Sequence, residues 1–210
     1  MKSRDAILQA LRRAAPAPAP LPEWTGRAMR FDDPVASFME TVKAVAGTPV
    51  RVPDLAAADA AVRGLEIWRR ARLTVSLVPG VGRSSVDLDA VAVPQDLRDL
   101  EVAVVGGAPG VAENGAVWIP GSRLGRHRAV FVIAEHLVLV VKAEDVVHTM
   151  HEAYDRIRIE RPGWGSFVSG PSKTADIEQT LVHGAHGPRS LAVACFEDSK
   201  EDSPSPKPPD

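Results

Sequence analysis

The residues whose side chains could bind a ligand or take part in catalysis are concentrated in one stretch near the C-terminal end of the chain, VSGPSKTADIEQTLVHGAHGPR, from Val168 to Arg189. The turn Ser169–Pro171 ends a short apolar run, and the polar run Ser172–Thr174 follows it. The spacing of the next apolar residues predicts a helix over Ala175–Val182. A helix N-terminus presents free backbone N–H groups and the positive end of the dipole, and it therefore attracts anions. This order of elements predicts an anion-binding loop.

Three side chains would build that loop. Thr174 is the predicted N-cap, Asp176 suits the positive end of the helix dipole, and Lys173 lies at the mouth of the site. An alternative stays open, because many α/β proteins have a capped helix after a strand that binds nothing. A nucleotide P-loop is excluded, since Pro171 stands where that motif has its lysine.

Two histidines follow the predicted helix. His183 and His186 lie where Gly184, Gly187 and Pro188 would break it and turn the chain back towards the polar loop. A metal ion needs three or four converging ligands, so two histidines are weak evidence for one. Hydrogen-bonding or substrate-orienting roles are favoured, and a structural role in the turn is equally open for His183.

The run GPSKTADIEQTLVHGAHGP closely resembles the C-terminal signature of the lactate-utilization (LUD) domain family, in its lactate utilization protein C branch. Gly170–Glu178 and Gly184–Pro188 match the two pieces of that signature. The resemblance implies a fold similar to glucosamine-phosphate deaminases, ribose-phosphate isomerases and CoA transferases. It also implies a place in bacterial oxidation of L-lactate to pyruvate, with two iron–sulfur partner proteins, and it favours a functional role for His186.

A second group of candidate residues is Glu113-Asn114-Gly115. The family usually has Glu-Thr-Gly here, so Glu113 and Gly115 match while Asn114 departs. CoA transferases of the same fold group have a nucleophilic glutamate in a Ser-Glu-Asn-Gly run, whose serine is Ala112 in this chain. A glutamate in a glycine-lined crevice can act as acid, base or nucleophile, or it can simply hold its loop by accepting backbone hydrogen bonds. The residues predicted to bind substrate or anion are Gly115, Gly170, Ser172, Lys173, Thr174, Asp176 and His186, with Glu113 as the catalytic candidate.

Two other groups of side chains carry weaker signals. His148, His151 and Glu152 share one face of a predicted helix, but such a polar face is normally solvated, so metal binding there is disfavoured. Trp118 and Trp164 lie next to the two candidate loops, where they would wall a pocket or simply belong to the core.

Composition limits the function classes. The chain has 210 residues, a formal charge of -2 and one tyrosine, so it lacks the basic, aromatic-rich surface typical of nucleic-acid binding. A single cysteine, Cys195, forms no internal disulfide and holds no iron–sulfur cluster, which indicates a reducing cytoplasm and clusters on partners only. The first 13 residues are too short and too charged for a signal peptide or membrane span.

Strand and helix signals alternate along the chain. They predict an α/β fold with a mostly parallel sheet covered by helices on both faces, and an N-terminal helical arm. Predicted domains are a helix and Pro-rich linker over residues 1–22, a LUD domain over 23–198 and a disordered tail over 199–210. Sheets of this kind bind ligands beyond the carboxyl ends of their strands, so the two candidate loops are expected to meet there. The predicted strands are Thr48–Val52, Leu73–Val78, Val102–Val105, Leu137–Val141 and Leu191–Phe196, and the longer helices are Asp33–Val45, Asp54–Ala71 and Glu144–Ile159.

Three functions are compatible with these features. The resemblance implies an accessory or substrate-handling subunit of lactate oxidation, which binds a small carboxylate or phosphate at the loop and needs no cofactor of its own. An independent acyl- or CoA-transferase-like or sugar-phosphate isomerase-like enzyme would use Glu113. A binding module that senses a metabolite would hold its ligand without turnover. The oligomeric state is left open by the sequence.

Overall fold

The apolar runs of the sequence become the strands of one central sheet. The computed structural model describes residues 3–16, 19–20, 29–159, 163–175 and 181–197. In chain order the helices and strands are α1 (Ser3–Ala14), α2 (Pro34–Ala44), β1 (Thr48–Val52), α3 (Leu55–Gly64), α4 (Glu66–Arg70), β2 (Thr74–Ser76), β3 (Val102–Gly106), β4 (Gly110–Val111), β5 (Ala116–Pro120), α5 (Val130–Ile133), β6 (His136–Lys142), β7 (Val146–Val147), α6 (Met150–Arg156), β8 (Gly165–Val168), β9 (Lys173–Ala175), β10 (Leu181–His183) and β11 (Ser190–Phe196). Short 3₁₀ turns cover Leu88–Ala90, Pro94–Leu97, Gly121–Leu124 and Ala143–Asp145.

The central sheet is parallel and has the strand order β1-β11-β6-β3-β2. Because successive residues of a strand point to opposite faces, alternate side chains join different apolar clusters. Val104 and Val138 pack on the face covered by α3 and α4, whereas Val105 and Leu139 pack on the other face with α2 and α5. Both faces are buried, which confirms the predicted α/β class.

The helices that cover the sheet begin where the sequence predicts them. Asp33 Oδ1 accepts a hydrogen bond of 2.9 Å from the Ala36 N–H, and Asp54 caps α3 in the same way. The predicted helix over Asp54–Ala71 is nevertheless two helices, because Leu65 adopts an extended backbone between them. The predicted helix over Glu144–Ile159 is also too long, since its first part forms a 3₁₀ turn and the short strand β7.

A second, four-stranded sheet lies within the crossover connections, with the order β7-β4-β5-β8, and β9 pairs with β10 as a separate antiparallel hairpin. The predicted helix over Ala175–Val182 is therefore wrong at both ends, where Ala175, Leu181 and Val182 belong to strands; residues 176–180 between them lie outside the described residues. Thr174 is opposite Val182 in the hairpin register and caps no helix. Both residues are β-branched, a type that fits a pleated strand better than a helix.

The N-terminal helix α1 has no buried residue, and its apolar side chains Ile7 and Leu11 are exposed. Among the described residues, no helix has the length and apolar character needed to cross a bilayer. The predicted tail over residues 199–210 and the connection over residues 176–180 lie outside the described residues.

Candidate functional site: a pocket built by the two signature segments

The two signature segments are held together by backbone hydrogen bonds. The Ser172 N–H donates to the Pro188 carbonyl at 2.8 Å, and the Gly184 N–H donates to the Ser172 carbonyl at 2.9 Å. A side chain at Gly187 would place its Cβ 3.2 Å from the Ser172 Cβ, so glycine allows the two segments to approach closely. The pairing of β9 with β10 thus brings the two segments of the signature together in space.

Together these segments line a small cavity of about 230 Å³, which we call the signature pocket. Its polar rim carries Ser172 and His186, and its wall is mainly apolar. The residues that line it are Phe131, Val132, Leu137, Phe167, Val168, Gly170, Pro171, Ser172, His186, Gly187, Pro188 and Leu191. Leu137 and Leu191 stand near the beginnings of β6 and β11, so the pocket lies at the amino ends of these strands. This cavity is therefore not beyond the carboxyl ends of the central strands, where the sequence predicts the ligand site.

His186 and Thr174 are the polar pair at this site. The Thr174 hydroxyl and His186 Nδ1 are 3.4 Å apart, and either can donate, depending on the histidine tautomer. His186 is exposed, whereas Thr174 is half-buried. His183 belongs to β10, opposite Lys173 in the register. Asp176 lies outside the described residues.

Lys173 does not stand at a helix N-terminus. Its Nζ donates to the Val45 carbonyl at 2.6 Å, and Val45 is the C-cap of α2. The free carbonyl groups and the negative dipole end of a helix C-terminus favour a cation, so this contact stabilises the end of α2. Gly170, at φ +71°, packs its Cα against the same carbonyl, where any Cβ would collide. Gly170 and Lys173 therefore attach the first signature segment to the C-terminal end of α2.

The carboxylate of Glu113 caps another helix. Its Oε1 accepts a hydrogen bond of 2.8 Å from the Met150 N–H, at the first residue of α6. Gly115, at φ +64°, packs against the α2 backbone, where a Cβ would lie 3.0 Å from the Val42 nitrogen. The Oε1 atom thus makes a contact that holds the loop, which the sequence analysis gave as the alternative to catalysis. The catalytic role of Glu113 stays a prediction.

The two candidate loops do meet. The Ser169 hydroxyl donates to the Asn114 carbonyl at 2.7 Å, so the loop that contains Glu113 adjoins the signature. The two loops are joined by this contact between a side-chain hydroxyl and a backbone carbonyl, however, while the Glu113 and Lys173 side chains turn towards α6 and α2 respectively.

The weaker histidine group has structural contacts. His148 Nδ1 accepts a hydrogen bond of 3.0 Å from the Phe31 N–H, and the Glu152 carboxylate accepts one of 3.1 Å from the His148 N–H. In the part of the chain that the structure describes, no three His, Cys, Asp or Glu side chains are grouped to hold a metal ion. Cys195 is buried in β11, and burial raises the pKa of its thiol to about 11.

Sequence reasoning missed the apolar wall of the signature pocket. Phe131 and Leu137 lie far from the signature in the chain, and their spacing indicates only buried elements. Trp118 and Trp164 do line a cavity, as one of the two interpretations held, but it is a different one of about 360 Å³ beside the signature pocket.

The fold and the pocket define an α/β protein whose C-terminal signature, rather than a nucleotide loop, lines a small pocket. The LUD domain family model matches residues 81–194, more than half of the chain, and this protein belongs to that family.

Relatives with assigned names agree with this placement. "Lactate utilization protein C" of Geobacillus kaustophilus (strain HTA426) is 30% identical over 167 residues, which cover 75% of this chain and 66% of that protein. "Lactate utilization protein C" of Bacillus subtilis (strain 168) is 30% identical over 130 residues, which cover 57% of this chain and 53% of that protein. The chain therefore spans between about half and just under two thirds of these relatives. A crystal structure of a DUF162 family protein from Deinococcus radiodurans has a TM-score of 0.55 at 17% identity, covers 78% of this chain and 96% of that one, and shows a shared fold.

Proposed function

We propose that this protein takes part in the oxidation of L-lactate to pyruvate, as an accessory subunit that binds the small carboxylate and works with iron–sulfur partner proteins. The observation that carries the proposal is that both signature segments close one pocket with a polar rim and an apolar wall. The names of the matched relatives support a role in lactate utilization, and the pocket is where we expect the substrate to bind.

The signature pocket suits a ligand of a few non-hydrogen atoms. A water molecule occupies about 30 Å³, so a cavity of about 230 Å³ holds the equivalent of about eight waters. Lactate and pyruvate combine a methyl group with polar oxygens. The methyl group would contact apolar side chains such as Phe131 and Leu191, and the oxygens would face the hydroxyl of Ser172 and the imidazole of His186.

The chain needs partners for the redox chemistry in this scheme. Oxidation of the hydroxyl carbon of lactate releases two electrons, and the single buried cysteine cannot ligate an iron–sulfur cluster. The electrons would therefore pass to clusters on the partner proteins, while this chain holds and orients the carboxylate.

Binding can be tested on the purified chain. L-lactate and pyruvate, titrated separately and followed by ¹H–¹⁵N NMR, are expected to shift amide signals of Ser172 and Gly187 in a saturable way. His186→Ala should weaken binding at least tenfold. His151→Ala, which removes an exposed histidine of α6 outside the pocket, should leave binding unchanged.

The partner assignment needs a separate experiment. A tagged copy expressed in cells grown on L-lactate should co-purify with proteins that show iron–sulfur absorbance. Loss of the gene should abolish growth on lactate but not on pyruvate. Normal growth of the deletion strain on lactate would contradict the proposed function, whatever the binding result.

A further inference from the structure

A cavity of about 460 Å³ lies at the carboxyl end of β2, and we call it the β2 cavity. Ser76, the last residue of β2, lines it together with Leu77. The rest of its described lining comes from the loop over residues 84–89 and the turn over residues 124–127, both of which the structure describes throughout. Parallel sheets bind ligands beyond the carboxyl ends of their strands. The β2 cavity therefore occupies a position where this fold can hold a ligand.

His127 is a buried polar side chain in the lining of the β2 cavity, with 3% of its surface exposed. Its Nε2 atom lies 2.8 Å from the Leu88 carbonyl oxygen. Because a carbonyl oxygen only accepts, Nε2 carries the proton, and Nδ1 of the neutral ring is left as an acceptor. Nδ1 is itself buried and has no hydrogen-bond partner among the described residues. A buried acceptor without a partner is unfavourable, so this atom indicates a ligand that brings a hydrogen-bond donor.

Two exposed carboxylates, those of Asp87 and Asp89, also line the β2 cavity. Asp87 Oδ1 accepts a hydrogen bond of 3.0 Å from the Asp89 N–H, and neither carboxylate has an ion pair with a described residue. Arg126 is the basic side chain of the described lining, and it donates to the Asp89 and Val91 carbonyls at 3.5 and 3.1 Å. Its guanidinium therefore holds the backbone of the acidic loop, and the described lining keeps an excess of negative charge.

The acceptors of the β2 cavity do not form a metal site. In the described ranges, no three His, Cys, Asp or Glu side chains are grouped to hold a metal ion, so Asp87, Asp89 and His127 do not converge on one point. A ligand that reaches more than one of them must therefore be larger than a single ion. Leu77 and Leu124 give the cavity apolar surface on which a carbon chain can pack.

We infer that the β2 cavity binds an aliphatic compound that carries a primary ammonium group. An ammonium group has three donors and no acceptor, so it matches the free acceptors of Asp87, Asp89 and His127. The excess of carboxylate over guanidinium groups attracts a cation, whereas a neutral alcohol gains nothing from this charge. The inference does not depend on the lactate proposal, because the β2 cavity and the signature pocket share no described residue.

The first test separates the charge of the ligand from its hydrogen-bond donors. Putrescine, aminobutanol and butanediol share a straight four-carbon chain with a polar group at each end, and they carry two, one and no ammonium groups. In isothermal titration calorimetry, saturable binding of putrescine or aminobutanol is expected, at least tenfold tighter than that of butanediol. Absence of saturable binding by both amines would overturn the inference. Equal or tighter binding of butanediol would also overturn it, since it would show a site for neutral alcohols.

Variants then assign the binding to the cavity. Asp89→Asn removes one exposed carboxylate at constant size, and it should weaken binding of the amine at least fivefold without lowering the melting temperature. Asp155→Asn makes the same change at an exposed position on α6 that does not line the cavity, and it should bind like wild type. Equal affinities of wild type and Asp89→Asn would overturn the assignment.

The role of His127 is measured on the unmodified protein, because a substitution of this buried residue could disturb the fold. The ¹⁵N signal of its Nδ1 atom should move when the amine saturates the protein, since Nδ1 then accepts a hydrogen bond. A signal that stays in place at saturation would contradict binding in the β2 cavity. Asp89→Asn should leave the lactate-dependent NMR shifts of Ser172 and Gly187 unchanged, so the two proposals fail separately.

Discussion

Replacing Lys173 with methionine separates two roles of the lysine. In the structure the Lys173 ammonium donates to the Val45 carbonyl at 2.6 Å and so caps the C-terminal end of α2. Methionine keeps an apolar stem of similar length but removes the charge and all donors. If the contact stabilises the fold, Lys173→Met lowers the free energy of unfolding. If the lysine serves only as an anion ligand, the variant loses binding and keeps its stability.

The size of the loss follows from the geometry. A hydrogen bond from a charged group contributes roughly 1.5–3 kcal/mol, and a cation at a helix C-terminus adds about 0.3–1 kcal/mol. Lys173 is exposed, so solvent screening and the entropy of holding a long side chain offset much of this gain. We therefore expect a net loss of about 1 kcal/mol, which lowers the melting temperature by about 2–4 °C for a domain of this size.

Urea denaturation followed by circular dichroism measures the loss. Lys43→Met is the matched control, because Lys43 is exposed in the last turn of the same helix and its side chain has no described hydrogen bond or ion pair. It should cost clearly less than Lys173→Met. If both variants unfold at the same urea concentration as wild type, the contact with Val45 contributes nothing and the capping argument is refuted.

Further changes test other parts of the fold. Glu113→Ala should lower the free energy of unfolding by about 1 kcal/mol, because the Met150 N–H loses its acceptor, and Glu113→Gln should lose less; equal urea midpoints for both and wild type would contradict the cap. Backbone N–H groups of Leu73 and of the residue before it hold the pKa of Glu101 below its ordinary 4.5. Because the pKa of Glu101 is lower in the folded protein than its ordinary value, the ionised carboxylate stabilises the fold above pH 4.5. This stabilisation is lost as the pH falls through the pKa of the folded state. The melting temperature of Glu101→Gln should therefore change less than that of wild type between about pH 5 and about pH 3. The buried thiol of Cys195, with a pKa near 11, should react with a disulfide reagent at neutral pH only after unfolding, and rapid labelling of the folded protein would disprove its burial.

Local sequence signals were sufficient for the central sheet and its flanking helices. A strand buried on both faces reads as a continuous apolar run, and Leu137–Val141 and Leu191–Phe196 show that pattern over their full length. Helix starts were also predictable, because Asp33 and Asp54 bond to backbone N–H groups only three residues away. The signature identified the family for a different reason, since a long motif is recognisable without knowledge of its contacts.

The local structure of the signature was decided by contacts that the sequence does not reveal. The stretch after Thr174 has apolar residues at helical spacing, yet cross-strand pairing makes its two ends a hairpin. Lys173 finds its partner at Val45, 128 positions away, and the wall of the signature pocket comes from separate elements such as α5 and β8. Periodicity and capping report interactions within a few residues, whereas these contacts depend on how distant segments pack. The sequence by itself therefore determined the sheet and the family, and only the tertiary structure decided what each signature side chain touches.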